Sequence, residues 1–227
     1  MDTALRDELF QVLAAKGAKL MGVGDLSGIV DGELTTGVSV AVPLPTHVVQ
    51  DLQTAPTEEY YHLYHSLNAQ LNKIVEAGAA LLRERGYRAQ ANTTTAVQMD
   101  GNWRTPLPHK TVATRAGLGW IGKSCLLVTE AYGGAIRLSS LLTDTPLPAG
   151  TPIEESRCGS CEICVKSCPA HALTGALWQA GMPRETLFHR EICKKTQLER
   201  MKQATGMDAD LCGLCFAVCP YTKRYLR

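Results

Sequence analysis

The chain has 227 residues, 45% of them hydrophobic, with 23 Lys and Arg against 22 Asp and Glu for a formal net charge of +1. That length and composition suit one domain of ordinary size plus a small one. The even charge balance, with no long Lys or Arg block, gives no general case for a nucleic-acid-binding protein. No apolar run reaches the ~18 residues of a membrane-spanning helix, and the acidic start lacks the apolar stretch of an export signal, so a cytoplasmic location and no membrane partner are expected.

In chain order, Leu5, Leu9, Val12 and Leu13 recur at helical spacing after a cap at Thr3, and Gly17 is placed to end the helix. Lys19 to Val23 and Val38 to Val42 read as short buried strands, separated by a loop from Gly24 to Gly37 rich in glycine and acids. The longest helix is expected from Thr57 to about Arg85. Glu58 and Glu59 favour its N-terminal dipole, Gly86 closes it, and Tyr60, Leu67, Leu71, Ile74 and Leu82 lie along its apolar stripe. His62 and His65 on this helix read as surface or packing residues.

Gly86 to Asn92 reads as a further strand. Ser124 to Thr129 and Ala135 to Leu142 read as a hairpin joined through Tyr132-Gly133-Gly134. Pro146, Pro148, Gly150 and Pro152 mark a linker, and a charged helix is expected from Pro183 to about Met201. Alternating helices and strands make the first part, residues 1–150, an α+β sheet domain, distinct from a cysteine-rich module over 151–227.

Cys158, Cys161, Cys164 and Cys168 follow one another at spacings of two, two and three residues, with Pro169 next. Three thiols at the short spacing can each reach a different iron of one cubane, while the fourth points to a second cluster. The second set is present as Cys193, then Cys212, Cys215 and Cys219 before Pro220. Crossed pairing assigns Cys158, Cys161, Cys164 and Cys219 to one 4Fe-4S cluster, and Cys168, Cys193, Cys212 and Cys215 to the other. Structural zinc accounts for four thiols but poorly for eight in this order, and disulfides do not suit a chain without an export signal. The ninth, Cys125, reads as a small buried hydrophobe.

A two-cluster ferredoxin needs only the last third of the chain, so the first part must explain what the electrons are for. Ala116-Gly-Leu-Gly-Trp-Ile-Gly-Lys123 has three glycines in six residues, which permits close backbone approach to a bulky ligand or, equally, a tight turn with Trp120 as core. It lacks phosphate-loop spacing.

The order of this motif, Leu141-Leu-Thr-Asp-Thr-Pro-Leu-Pro148 and the two cysteine runs resembles the epoxyqueuosine reductase family from about Arg115 to Lys223. The resemblance implies a cobalamin-binding domain related to the nitroreductase fold, two 4Fe-4S clusters in a ferredoxin-like module, and an external low-potential electron donor such as ferredoxin or flavodoxin. The alternatives are an electron carrier serving another reductase or corrinoid protein, and a flavin-binding iron-sulfur reductase.

The same resemblance puts Gly119, Gly122, Lys123, Gly213 and Leu214 near the corrin. It also implies a proton-donating aspartate about a dozen residues before the glycine motif. The corresponding stretch, Asn102 to Lys110, carries no carboxylate, leaving Asp100 or His109 as the candidate catalytic residue. Family members continue into a helical-repeat domain that helps hold transfer RNA. The sequence given ends at Arg227, so a short form is expected, with transfer RNA as a candidate partner and the substrate open.

Overall fold

The structure is a computed structural model that describes residues 2–98, 100–101 and 104–227. Asn102 and Trp103 of the stretch considered for a proton donor, and Met1 of the acidic start, lie outside the described residues. The fold is mixed α and β, and the chain packs as two compact units. One comprises Met1–Val42, Ser66–Leu118 and Arg137–Ile153; the other comprises Pro43–His65, Gly119–Ile136 and Glu154–Arg227.

The first unit is built on a four-stranded sheet of order β1-β2-β6-β3, with β1 at Leu20–Asp25, β2 at Thr36–Pro43, β3 at Ala89–Asn92 and β6 at Ile136–Thr143. β1 runs antiparallel to β2 with Val23 opposite Val38, and β3 runs antiparallel to β6 with Ala91 opposite Leu141. Helix α1, Thr3–Ala15, is capped by Asp2, whose carboxylate accepts the Leu5 N–H at 2.9 Å. Thr3 is therefore the first helical residue rather than the cap, because an aspartate at that position satisfies an otherwise unpaired N–H.

α3, Glu58–Glu84, starts after Thr57, whose hydroxyl accepts the Tyr60 N–H at 3.1 Å. It closes down at Gly78, where the missing side chain makes room for Leu9 and Leu13 of α1 and Leu141 of β6. Those three leucines are fully buried along with Ile74, Val75 and Leu82, each worth about 1.5–3 kcal/mol of apolar burial. β1 presents Gly22 and Gly24 to the end of α4, His109–Arg115: a methyl group at Gly24 would lie 2.9 Å from the Arg115 backbone. This small-residue face lets α4 lie close to the strand, which positions His109.

In the second unit, α2 at Thr46–Asp51, β4 at Trp120–Ile121 and β5 at Leu127–Val128 join the cysteine-bearing segments. Those segments hold α5 at Ile163–Ser167, α6 at Arg190–Thr205, α7 at Leu214–Ala217 and α8 at Pro220–Tyr225. The hydroxyl of Tyr225 donates to the Leu44 carbonyl at 2.8 Å, the Gly134 N–H donates to Thr222 Oγ1 at 3.0 Å, and Arg200 donates to the Thr54 carbonyl at 3.0 Å. Tyr60 meets Phe216 edge to face at 6.4 Å. These bonds tie residues 43–65 and 119–136 to the last third of the chain.

The expected hairpin of Ser124–Thr129 with Ala135–Leu142 does not form. β5 pairs with β4 and β6 pairs within the four-stranded sheet, because Gly133 and Gly134 turn against Thr222 and Phe216 of the C-terminal segment. The charged helix also begins later than expected. A 3-10 turn occupies Arg184–Thr186, and α6 starts at Arg190 and ends on Gly206 in the left-handed conformation. Likewise the third strand starts at Ala89 rather than Gly86, whose φ of +87 belongs to the turn that leaves α3.

Candidate iron-sulfur and cofactor site

Eight of the nine cysteines lie in the second unit's C-terminal segment, and none of the nine is in a disulfide. Their grouping runs across the two sequence runs. Cys164 is pushed up to about 11 by burial and by the charges of Cys158, Cys219 and Cys161 around it. Burial and then Cys168 push Cys193 up to about 11, with Cys212 adding to the repulsion. The Cys215 thiol is raised by burial and by Cys212, Cys193, Cys164 and Cys168, and Cys219 is raised by burial and, more weakly, by Cys158 and Cys161.

The local folding explains why distant cysteines meet. α5 carries Cys164, α7 carries Cys215, and the two helices pack on each other. Proline after Cys219 occupies the first position of α8, where its missing N–H costs nothing. Around Cys168, Ala172 and Leu173 pack Cys164, Val165, Phe188, Cys193 and Cys215. The thiols thus occupy the place of a hydrophobic core. Closely set thiols in a low-dielectric site resist ionisation unless a cation neutralises them, and iron bound as a cluster supplies that charge. The donor set fits two iron-sulfur clusters.

From Gly119 onward the glycine motif belongs to this same unit. Gly119 lies against β5, so a methyl there would stand 2.2 Å from the Val128 carbonyl oxygen. A methyl at Gly122 would lie 2.8 Å from Val128 and 3.5 Å from Cys158 Sγ. Gly213, at φ +81 before Leu214, faces Leu52, whose Cδ1 lies 2.7 Å from the position of a β-carbon. Protein therefore fills the space beside each of these glycines, the tight-turn alternative of the sequence reading. Trp120 is fully buried, 4.9 Å from Tyr221 and with the Arg157 guanidinium 5.6 Å over its ring.

Two donors on this segment have no partner among the described residues. Trp120 Nε1 is buried without one, and Lys123 is 5% exposed with no hydrogen bond or ion pair. The Trp120 indole N–H is thus free to donate to an acceptor-rich ligand.

His109 and Asp100 lie in the first unit. His109 Nδ1 is 2.9 Å from Ser140 Oγ, which also accepts the Asn92 amide at 3.2 Å. Burial, then the Arg137 charge, push His109 down to about 4. The Asp100 carboxylate accepts the Arg104 N–H at 2.9 Å, while its own N–H donates to the Arg104 carbonyl at 2.8 Å, closing an exposed turn.

Sequence spacing had no means of linking Cys125 to the clusters. It lies in the left-handed region at φ +59, is 4% exposed, and adds to the charge repulsion felt by Cys193. The sequence reading does not single out Arg157 or Tyr221; their only signal is closeness in sequence to Cys158 and Cys219.

The family described as "4Fe-4S double cluster binding domain" matches residues 157–222. The epoxyqueuosine reductase of Bacillus anthracis is 34% identical over 119 residues, covering 52% of this chain and 30% of that protein. That of Aliivibrio fischeri is 35% identical over 164 residues, covering 70% of this chain and 40% of that protein. Over the matched residues the chain is similar to epoxyqueuosine reductases. It spans well under half the length of these relatives.

Two solved structures carry the likeness through the fold. A reductive dehalogenase, whose structure is described as suggesting a mechanism for B12-dependent dehalogenation, matches with a TM-score of 0.71 at 17% identity over 93% of this chain and 31% of that one. An epoxyqueuosine reductase with a tRNA-Tyr epoxyqueuosine-modified stem loop matches with a TM-score of 0.63 at 20% identity over 96% of this chain and 65% of that one. No described helix is long and apolar enough to cross a membrane.

Proposed function

We propose that this chain is an iron-sulfur, cobalamin-dependent reductase of the epoxyqueuosine reductase type, served by an external low-potential donor such as ferredoxin or flavodoxin. The observation that carries the reading is the shared packing of two cysteine sets and the Gly119–Ile136 segment in one unit, with Trp120 Nε1 buried there without a partner. When bound, the clusters supply electrons one at a time and the corrin supplies the metal centre at which the substrate is reduced.

In this reading Cys158, Cys161, Cys164 and Cys219 hold one cluster, and Cys168, Cys193, Cys212 and Cys215 hold the other. The packed hairpin at Gly119 and Gly122 fixes the backbone beside Cys158, while Gly213 and Leu214 do the same between Cys212 and Cys215. Among the two candidate proton donors, His109 stays neutral near pH 7, so an imidazolium is scarce there. Asp100 already has its carboxylate in a turn, and it is the exposed one of the pair. The proton donor is then Asp100 after release from Arg104, or a group of the substrate. The modified stem loop held by the solved relative makes transfer RNA the substrate to test first.

The test is anaerobic reconstitution with iron and sulfide, then titration with cobalamin followed by absorbance and electron paramagnetic resonance. Stoichiometric binding with a Co(II) signal distinct from that of free cobalamin supports the reading. Two clusters without corrinoid affinity overturn it and leave an electron carrier, or a flavoprotein if a flavin copurifies.

A further inference from the structure

Trp120 is fully buried, and its indole Nε1 has no hydrogen-bond partner among the described residues. A donor shut away from water and left unanswered is unfavourable, so in a closely packed unit it ordinarily meets an acceptor that a ligand supplies.

The pairing of β4 with β5 sets where the indole goes. Trp120 stands directly opposite Val128, and directly opposed residues share one face of an antiparallel pair. A β-carbon at Gly122 would lie 2.8 Å from Val128 Cγ2 and 3.5 Å from Cys158 Sγ, so Val128, Gly122 and Cys158 mark that same face. On it the indole meets Tyr221 edge to face at 4.9 Å and has the Arg157 guanidinium 5.6 Å over its ring. Arg157 immediately precedes Cys158, and Tyr221 follows Cys219 by two residues. Trp120 is therefore enclosed by the neighbours of two cysteines that come from different sequence runs.

On the reading that Cys158, Cys161, Cys164 and Cys219 hold one cluster, the acceptors in that space are the cluster's sulfide and thiolate sulfurs. We infer that the Trp120 indole N–H donates to a sulfur of this cluster and raises its reduction potential, making Trp120 a positioning residue for electron transfer. The reduced cluster carries one more negative charge than the oxidised one, so the hydrogen bond strengthens on reduction and favours it. The guanidinium over the ring draws on its π electrons and makes the N–H the stronger donor.

The experiment compares wild type, Trp120→Phe and Trp178→Phe, each reconstituted anaerobically with iron and sulfide and kept free of corrinoid. Trp178 is a second buried tryptophan of the same unit and controls for lost ring packing. Redox titration followed by electron paramagnetic resonance should show the cluster that Cys158→Ser removes becoming harder to reduce in Trp120→Phe, by roughly tenfold in the reduction equilibrium or ~59 mV for a one-electron couple. The other cluster, and both clusters of Trp178→Phe, should stay within about twofold. Proton couplings of the reduced cluster should include an exchangeable N–H in wild type that Trp120→Phe lacks. Water entering the space left by a smaller ring would shift the potential upward, so the sign separates a lost hydrogen bond from looser packing.

An unmoved or raised potential in Trp120→Phe, an equal drop in Trp178→Phe, or a difference that appears only after corrinoid is added overturns the inference. A wild type that does not assemble the Cys158 and Cys219 cluster refutes the cluster assignment itself and the inference with it, which iron analysis distinguishes from the failure of the hydrogen bond alone.

Discussion

Replacing His109 with asparagine should flatten the acid limb of the protein's stability. In the folded protein Asn92 donates to Ser140 Oγ, and His109 Nδ1 lies 2.9 Å from the same oxygen, which holds the imidazole in its buried place. Protonating the imidazole adds a charge in a buried site near Arg137. Burial is the larger cause and Arg137 the smaller, and together they bring the imidazole down from 6.5 to about 4. Its folded value lies below its unfolded one, so the unfolded chain binds more protons as the pH falls. The stability this group contributes is full above about pH 6.5 and is lost progressively toward pH 4.

Between pH 7.5 and 5.5 the loss from this one group is about 1.3 kcal/mol, or roughly 3–5 °C in melting temperature for a chain of this size. Asparagine can offer Ser140 a carbonyl oxygen in place of Nδ1 but does not titrate. Melting curves of wild type and His109→Asn at matched ionic strength should therefore converge as the pH falls, with the variant's slope the shallower by that amount. An NMR titration should show the wild-type imidazole still neutral at pH 5.5. Equal slopes, or protonation near pH 6.5, would refute the reasoning and return His109 to the candidate proton donors.

The remaining expectations concern the second unit. Gly119→Ala places a methyl 2.2 Å from the Val128 carbonyl and should destabilise by about 3 kcal/mol or more, read as a lowered melting temperature. Gly159→Ala, at φ +55 with open space around it, is the control and should cost only about 1 kcal/mol. Cys219→Ser and Cys158→Ser should lose the same cluster, and Cys168→Ser and Cys193→Ser the other, each with about four of eight irons missing by iron analysis. A shared spectroscopic loss for Cys219→Ser and Cys212→Ser, with the Cys158→Ser spectrum different from both, would sink the crossed assignment. Asp2→Ala should lower stability by about 1 kcal/mol through loss of the α1 cap, with Asp2→Asn near wild type in the same melts.

Periodic and chemically explicit signals were the readable ones. The apolar stripe from Tyr60 to Leu82 recurs over about six turns and marks α3 closely, since a long amphipathic helix repeats its signal many times. Short elements have no such repetition: β4 at Trp120–Ile121 is two residues long and exists because its backbone meets Leu127–Val128, a tertiary event with no local signature. The same event diverted Ser124–Thr129 from the expected hairpin. Thr3 and Asp2 are equally good capping residues for α1, and only geometry chooses Asp2. Cysteine spacing announced an iron-sulfur module, but the approach of Cys125 to Cys193 spans 68 residues of chain and depends on how the unit closes.

The place of the Gly119–Ile136 segment bears most directly on mechanism. A cysteine module cut near residue 150 would keep every thiol of both sets yet lose the backbone that packs beside Cys158, the Gly134 N–H held by Thr222, and the edge-to-face contact of Trp120 with Tyr221. It would also lose Leu44 as acceptor for Tyr225 and Thr54 as acceptor for Arg200. Since thiols fill much of the module's interior in place of aliphatic side chains, it has little apolar burial to fall back on. Its rigidity must come from the clusters on one side and from these borrowed segments on the other. The residues that fix the cluster environment and the residues read as the cofactor's neighbours are thus one continuous stretch of chain, and a change at Gly119 or Gly122 should be felt by both.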